Sequence, residues 1–133
     1  MSRENVEVVR RWIEAYNRRD IDGLIDLTAP DMEFRSIFAT IESGGVFRGY
    51  PGVFEYFKAI DDAYERFELI LHELIDAGAA VVFIADAAWR GRGSGAVGTT
   101  PIFPALWLRA GKVFRAETFT ERTEALEAVG LSE

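Results

Sequence analysis

Cysteine is absent from this 133-residue sequence, and histidine occurs once, at His72. The first absence removes disulfide frameworks, thiolate nucleophiles and thiolate-bound zinc. The second removes any metal site built on two or more imidazoles and leaves one candidate for a histidine general base. Long basic runs are also missing, and the formal net charge is -7. Phosphate backbones and anionic membranes are gripped by clustered positive charge, so neither nucleic acid nor a membrane is an expected partner. No stretch reaches the about 18 uninterrupted apolar residues of a membrane span. The charged segment from Met1 to Arg11 lacks the apolar core of a secretion signal, and the expected location is the cytoplasm.

No internal repeat, composition break or Pro/Ser-rich linker divides the chain, so residues 1–133 read as a single domain. What the sequence has in quantity is apolar surface: 49% of its residues are hydrophobic and 13% aromatic. Burial on that scale offsets the entropy of ordering the chain.

Periodicity supplies the elements. Val6, Val9, Ile13 and Tyr16, with Trp12 beside them, recur at spacings of three and four, predicting a helix over residues 3–18 with Ser2 as its N-cap. Asp20 can cap a second, short helix through Ile21, Leu24, Ile25 and Leu27, which must stop before Pro30. From Asp31 the period becomes two: Met32, Phe34, Ser36 and Phe38 share one face of a strand, Glu33 and Arg35 the other, and Gly44-Gly45 turns the chain. A third helix is predicted from Pro51 to about Arg66, burying Val53, Phe57, Ile60 and Tyr64. Two hairpins follow. The first joins residues 67–76 to 79–90 through Ala77-Gly78, and the second joins 99–109 to 112–121 through Ala110-Gly111. A last short helix covers Arg122 to Val129, with Gly130 as its stop. The order predicts an α+β fold: helices packed on the concave face of a strongly curved antiparallel sheet, leaving a conical cavity.

Several local stretches carry a family resemblance. They are Glu14-Ala15-Tyr16-Asn17 with Asp20-Ile21-Asp22-Gly23-Leu24, Ala29 to Phe34, Phe47-Arg48-Gly49, Leu74 to Gly78, Gly111-Lys112-Val113 and Glu124 to Glu127. Together they resemble the SnoaL-like branch of the nuclear transport factor 2-like superfamily, over nearly the whole chain. The resemblance implies a cone-shaped, cystatin-like α+β roll, a homodimer formed through the sheet, and a small apolar molecule as the partner in the cavity. The superfamily includes ketosteroid isomerases, and at the three isomerase positions this chain carries Trp12, Ser36 and Pro104 in place of a tyrosine and two acids.

Among acids, Asp86 is the candidate catalytic residue, because it interrupts the apolar run from Val81 to Ala85 and is followed by Ala87, Ala88 and Trp89. A carboxylate turned into the cavity would have its pKa raised by desolvation and would serve as acid or base. The ordinary alternative is a surface carboxylate paired with an arginine. Both faces of its strand are apolar, so parity leaves the direction open. Trp12 and Tyr16, one helical turn apart, can offer an indole N–H and a phenol O–H to a ligand, or serve only as core. Ser36, Thr118 and Thr120 can aim hydroxyls inward, while Phe34, Phe57 and Trp89 complete the expected apolar lining. Any of Trp89, Trp107 and Phe119 on the outer face would form a patch suited to dimerisation.

The run Gly93 to Gly98 spells GxGxxG, yet no helix start follows it, so it is expected to be a hairpin loop. Asp61, Asp62 and Glu65 read as a solvated helix surface, and we assign no metal and no cofactor. Two functional expectations stand side by side. One is a cofactor-independent isomerase or cyclase moving a proton on a carbonyl or polyketide-like substrate. The other is a non-catalytic module that binds an apolar metabolite.

Overall fold

A computed structural model describes residues 2–38 and 45–131 of the chain. The amphipathic first segment forms α1 (Ser2–Arg18), which starts at Ser2 itself rather than after it and turns Val9, Ile13 and Tyr16 inward. Asp20 caps α2 (Ile21–Asp26) as expected, its carboxylate accepting the Gly23 N–H at 3.0 Å. Strand β1 (Thr28–Arg35) begins three residues ahead of the period-two pattern and takes in Pro30. Its register shifts between Thr28 and Glu33, and such an irregularity is where a sheet tolerates a residue without an N–H. Of the expected Gly44-Gly45 turn, Gly44 lies outside the described residues. Gly45 has φ 88, its carbonyl accepts the Ser36 N–H at 2.8 Å, and it leads into a short strand, β2 (Val46–Arg48).

Helix α3 (Gly49–Ala63) ends earlier than its apolar stripe suggests. Tyr64 is already extended and opens β3 (Tyr64–Asp76), where it pairs with Gly91 at the end of β4 (Ala80–Gly91). The Arg92 N–H adds a bond of 2.9 Å to the Ala63 carbonyl, so pairing across the hairpin overrides helical periodicity at these residues. Strands β5 (Val97–Arg109) and β6 (Lys112–Phe119) meet at Ala110 and Gly111, whose φ values of 51 and 75 fit a two-residue hairpin turn. Helix α4 (Arg122–Ala128) closes the described chain.

The sheet runs β2-β1-β6-β5-β4-β3. Strands β3 to β6 form the expected antiparallel meander, and one pair departs from it: β1 lies parallel to β6. Register shifts at Leu71/Glu73 and Trp107/Leu108 mark bulges, which bend strands and increase twist, and the sheet curls around α1 and α3. On its inner face Phe67, Leu69, Phe83, Ala85, Ile102 and Leu106 join Val9, Ile13, Phe57 and Ile60 in the main core. On its outer face α4 lays Ala125 and Leu126 over Val82 and Ala105, with Phe103, Trp107 and Phe119 alongside. Trp107 and Phe119 therefore fall on the outer face, partly covered by α4, whereas Trp89 packs with the inner core. Among the described residues no helix is long and apolar enough to cross a membrane.

At the β3 edge of the sheet a side chain of α1 takes the place of a further strand. Asn17 donates to the Leu69 carbonyl at 2.9 Å and accepts the Leu69 N–H at 2.8 Å, fastening the end of α1 to β3. Replacing Asn17 with alanine removes both bonds at once, and the expected loss is about 1–2 kcal/mol of unfolding free energy in a urea titration. A change under a few tenths would mean that water takes over both groups without cost.

Candidate functional site

Between the curled sheet and the helices lie two adjoining lobes with about 380 and 370 Å³ of space between atoms, their mouths included. Much of that space is narrow, and as it stands each lobe admits a body of about water size rather than a metabolite. Helix α1 brings Trp12 and Tyr16, β1 brings Phe34, α3 brings Tyr56 and β6 brings Ala116 to the wall that both lobes share. The first lobe extends toward α2 and α3, past Leu24, Met32, Val53 and Phe57. The second extends over the sheet, past Phe38, Phe67, Phe83, Leu106 and Thr118.

The shared wall carries the polar feature of the site. The Tyr16 and Tyr56 hydroxyls are hydrogen-bonded to each other, and the Ser36 hydroxyl joins them at Tyr56. The surroundings are rings: Tyr56 packs edge-on to Phe34 at 4.7 Å and to Phe57 at 5.0 Å, and Trp12 lies 5.7 Å from Tyr16. Burial pushes the Tyr16 phenol well above its ordinary range, and the neighbouring Tyr56 adds to the shift. Burial also raises Tyr56, with the hydrogen bonds from Tyr16 and Ser36 pulling partly the other way. Both phenols are therefore neutral at physiological pH, and a neutral phenol in an apolar site is a hydrogen-bond donor rather than a base.

Arg19 braces this pair from outside. It adopts φ 56, and its guanidinium lies 5.4 Å from the Tyr16 ring centre and 5.1 Å from that of Phe57. It donates to the Tyr16 carbonyl at 3.0 Å and the Phe67 carbonyl at 2.8 Å, which ties α1 to β3 beside the cavity.

Of the residues expected at the site, Trp12, Tyr16, Phe34, Phe57 and Thr118 line the lobes. Ser36 is buried behind them, bonded to Tyr56 and accepting the Phe38 N–H at 3.1 Å. The remaining three depart from expectation. Thr120 is exposed, one residue past the end of β6. Trp89 faces inward but lies toward the end of β4, against Tyr64 and over Gly98, with its indole donating to the Thr100 hydroxyl at 3.0 Å. Any side chain at Gly98 would collide with that indole. The GxGxxG run thus turns from β4 into β5, and its last glycine, already in β5 and paired with Trp89, makes room for that tryptophan.

Asp86 is the main correction. Its neighbours Ala85 and Ala87 point inward, so Asp86 points outward, where it meets Nε2 of His72 at 2.9 Å on a surface that leaves the two side chains 31% and 49% exposed. A carboxylate on that face is separated from the cavity by the sheet itself and cannot reach a bound molecule. Tyr56, half of the hydroxyl pair, was not among the site residues expected from the sequence. Among the described residues, no group of three or more His, Asp or Glu side chains converges as a metal site would require.

Residues 9–116 match the family model of the SnoaL-like domain, and the chain belongs to this family within the nuclear transport factor 2-like superfamily. Solved structures agree on the fold. TerC, co-crystallised with polyporic acid, is 22% identical with a TM-score of 0.79, over 95% of this chain and 98% of that one. A nuclear transport factor 2-like protein of unknown function from Burkholderia pseudomallei is 20% identical with a TM-score of 0.80, over 96% and 98%. A Catenulispora acidiphila protein with a ketosteroid isomerase-like fold, in complex with trimethylamine, is 20% identical with a TM-score of 0.72, over 94% and 93%. No curated protein matches the sequence.

Proposed function

We propose that this chain binds a small, neutral, largely apolar molecule and recognises one carbonyl or hydroxyl oxygen on it through the Tyr16–Tyr56 pair. The observation that carries this reading is the composition of the cavity wall. Aromatic and aliphatic side chains surround two phenols held protonated by burial, and among the described lining residues none is Asp, Glu, His, Lys or Arg. Such a wall favours apolar surface and offers donors to a single oxygen. It disfavours a charged ligand, whose desolvation nothing on the wall offsets. That the fold accommodates small organic molecules has parallels: TerC was solved with polyporic acid and the Catenulispora protein with trimethylamine.

Binding is favoured over proton transfer because moving a proton on carbon needs a base within reach of the substrate. Neutral phenols do not supply one, and Asp86 lies on the other side of the sheet. A cofactor-independent isomerisation or cyclisation remains the second reading, favoured by the hydroxyl pair alone, which would polarise a ligand carbonyl as it does when it binds one.

Thermal shift and calorimetric titration with 2-naphthol and acetophenone test the first reading. Saturable stabilisation is expected, about 2.7 kcal/mol when the ligand is at a hundred times its dissociation constant. Tyr16→Phe should weaken binding roughly three- to tenfold through loss of one hydrogen bond, while Asp86→Asn should leave it unchanged. Absence of binding by any apolar probe, or loss of binding in Asp86→Asn, would defeat the reading. Deuterium exchange at the acetophenone methyl group in D2O, catalysed by the protein and abolished by Tyr16→Phe, would promote the second reading over the first.

A further inference from the structure

The two lobes share Trp12, Tyr16, Phe34, Tyr56 and Ala116, and no other residue borders both. The lobes meet at this wall, where two side chains reach toward each other from different helices, Tyr16 from α1 and Tyr56 from α3, joined through their hydroxyls. Ala116 at the same wall is too small to block the passage, and the aromatic contacts that steady the two phenols are tilted or edge-on rather than interlocked.

We propose that the Tyr16–Tyr56 hydrogen bond is a bar across a single elongated site. An apolar molecule opens the bar by placing one central acceptor oxygen between the phenols, with a flat apolar arm in each lobe. This deepens the binding reading above and rests on it. The chemistry selects the class of guest. One neutral hydrogen bond is exchanged for one or two others of the same kind, so a central ketone or quinone oxygen compensates for the broken bond. A hydrocarbon of the same shape breaks it and returns nothing. A guest with a single ring needs only one lobe to widen beyond its present water-sized room and leaves the bar closed.

One further donor fits an oxygenated guest. The Thr118 hydroxyl, on the wall of the second lobe alone, has no hydrogen-bond partner among the described residues. A second polar substituent on the arm that enters this lobe has a donor waiting for it. The first lobe offers no equivalent: its Thr28 hydroxyl is taken up by the Leu24 carbonyl at 2.6 Å. The expected guest is therefore asymmetric in polarity, with its bare arm toward α2 and α3.

Benzophenone and diphenylmethane form a matched pair for the test, since they share two flat arms and differ in the central oxygen. The wild-type protein, labelled at its methyl groups, is titrated with each and followed by NMR. Met32 and Val113 report on the first lobe, Ile102 and Leu106 on the second. Benzophenone should bind one to one at least tenfold more tightly than diphenylmethane and shift the reporters of both lobes along a single saturation curve. Tyr16→Phe and Tyr56→Phe, which keep the rings, should each narrow the preference for the ketone severalfold. Shifts confined to one lobe, equal affinity for the two probes, or separate saturation curves for the two lobes would overturn the proposal. Failure of benzophenone while 2-naphthol still binds would end this inference and leave the binding reading standing. Failure of every probe would end both.

Discussion

Phe83→Ala should lower the unfolding free energy by about 3–5 kcal/mol, the range for removing a fully buried aromatic side chain from a core. Phe83 is 1% exposed and stands opposite Leu74 in the β3–β4 ladder, on the inner face of the sheet. Its ring also floors the second lobe. Two effects add: the transfer free energy of the missing ring atoms, and a cavity that the curled sheet cannot close, because bulged and paired strands on both sides hold β4 in place. Domains of this size have about 5–15 kcal/mol of stability in all, so the variant should show a much lower urea midpoint with little change in slope. The same cavity should admit larger apolar guests, and binding of them should restore part of the lost stability. A loss below about 1 kcal/mol would mean that the lobe collapses onto the gap, and that the sheet is softer than its pairing implies.

How much of this was legible beforehand depends on the range of the signal. The α2 cap, the Ala110-Gly111 turn and the meander of the last four strands follow from neighbouring residues, and the sequence alone placed them. The parallel β1–β6 pair was not legible, because it joins strands about 80 residues apart with α3 and four strands between them. The end of α3 misled for a related reason. Tyr64 continues the helical stripe of Val53, Phe57 and Ile60, and only its pairing with Gly91 pulls it into the sheet.

The candidate site divides in the same way. Trp12, Tyr16, Phe34 and Phe57 lie on faces that periodicity identifies, and they line the cavity. Tyr56 was passed over because it stands beside Phe57, and a stripe read at three- and four-residue steps counted one and skipped the other; the buried arc of α3 is wide enough for both. The direction of Asp86 was illegible for a physical reason. A strand with one wet face reveals its parity, but α4 packs over Val82 on the outer face while Phe83 and Ala85 fill the inner one. An apolar run on both faces carries no phase. The carboxylate that looked isolated in the sequence sits where the cover of α4 gives way to the exposed side chains of Ile70 and His72.

Alkaline pH should expose the tyrosine pair through a loss of stability that variants remove. In the unfolded chain both phenols ionise near pH 10. In the folded protein burial raises both, and the mutual hydrogen bond holds their protons between α1 and α3. The folded state thus keeps protons that the unfolded state releases once the pH passes 10. By linkage, the stabilisation these groups provide is complete below the unfolded pKa and is lost as pH rises toward the folded values. The slope approaches about 1.4 kcal/mol per pH unit for each phenol once its unfolded form is mostly ionised; at pH 10 that form is half ionised, so two acting together cost roughly 2 kcal/mol between pH 10 and pH 11. Urea titrations at pH 8, 10, 10.5 and 11 measure it, and tyrosinate absorbance followed on the folded protein locates the late ionisation directly. Tyr16→Phe with Tyr56→Phe should flatten the curve above pH 10 relative to wild type, whose Tyr50 and Tyr64 are shared by both proteins and cancel in the comparison. Identical curves would show that the phenols ionise as freely in the fold as outside it. In that case the site would be wet, its hydroxyls would not be held as neutral donors, and the recognition of a ligand oxygen argued above would lose its physical basis.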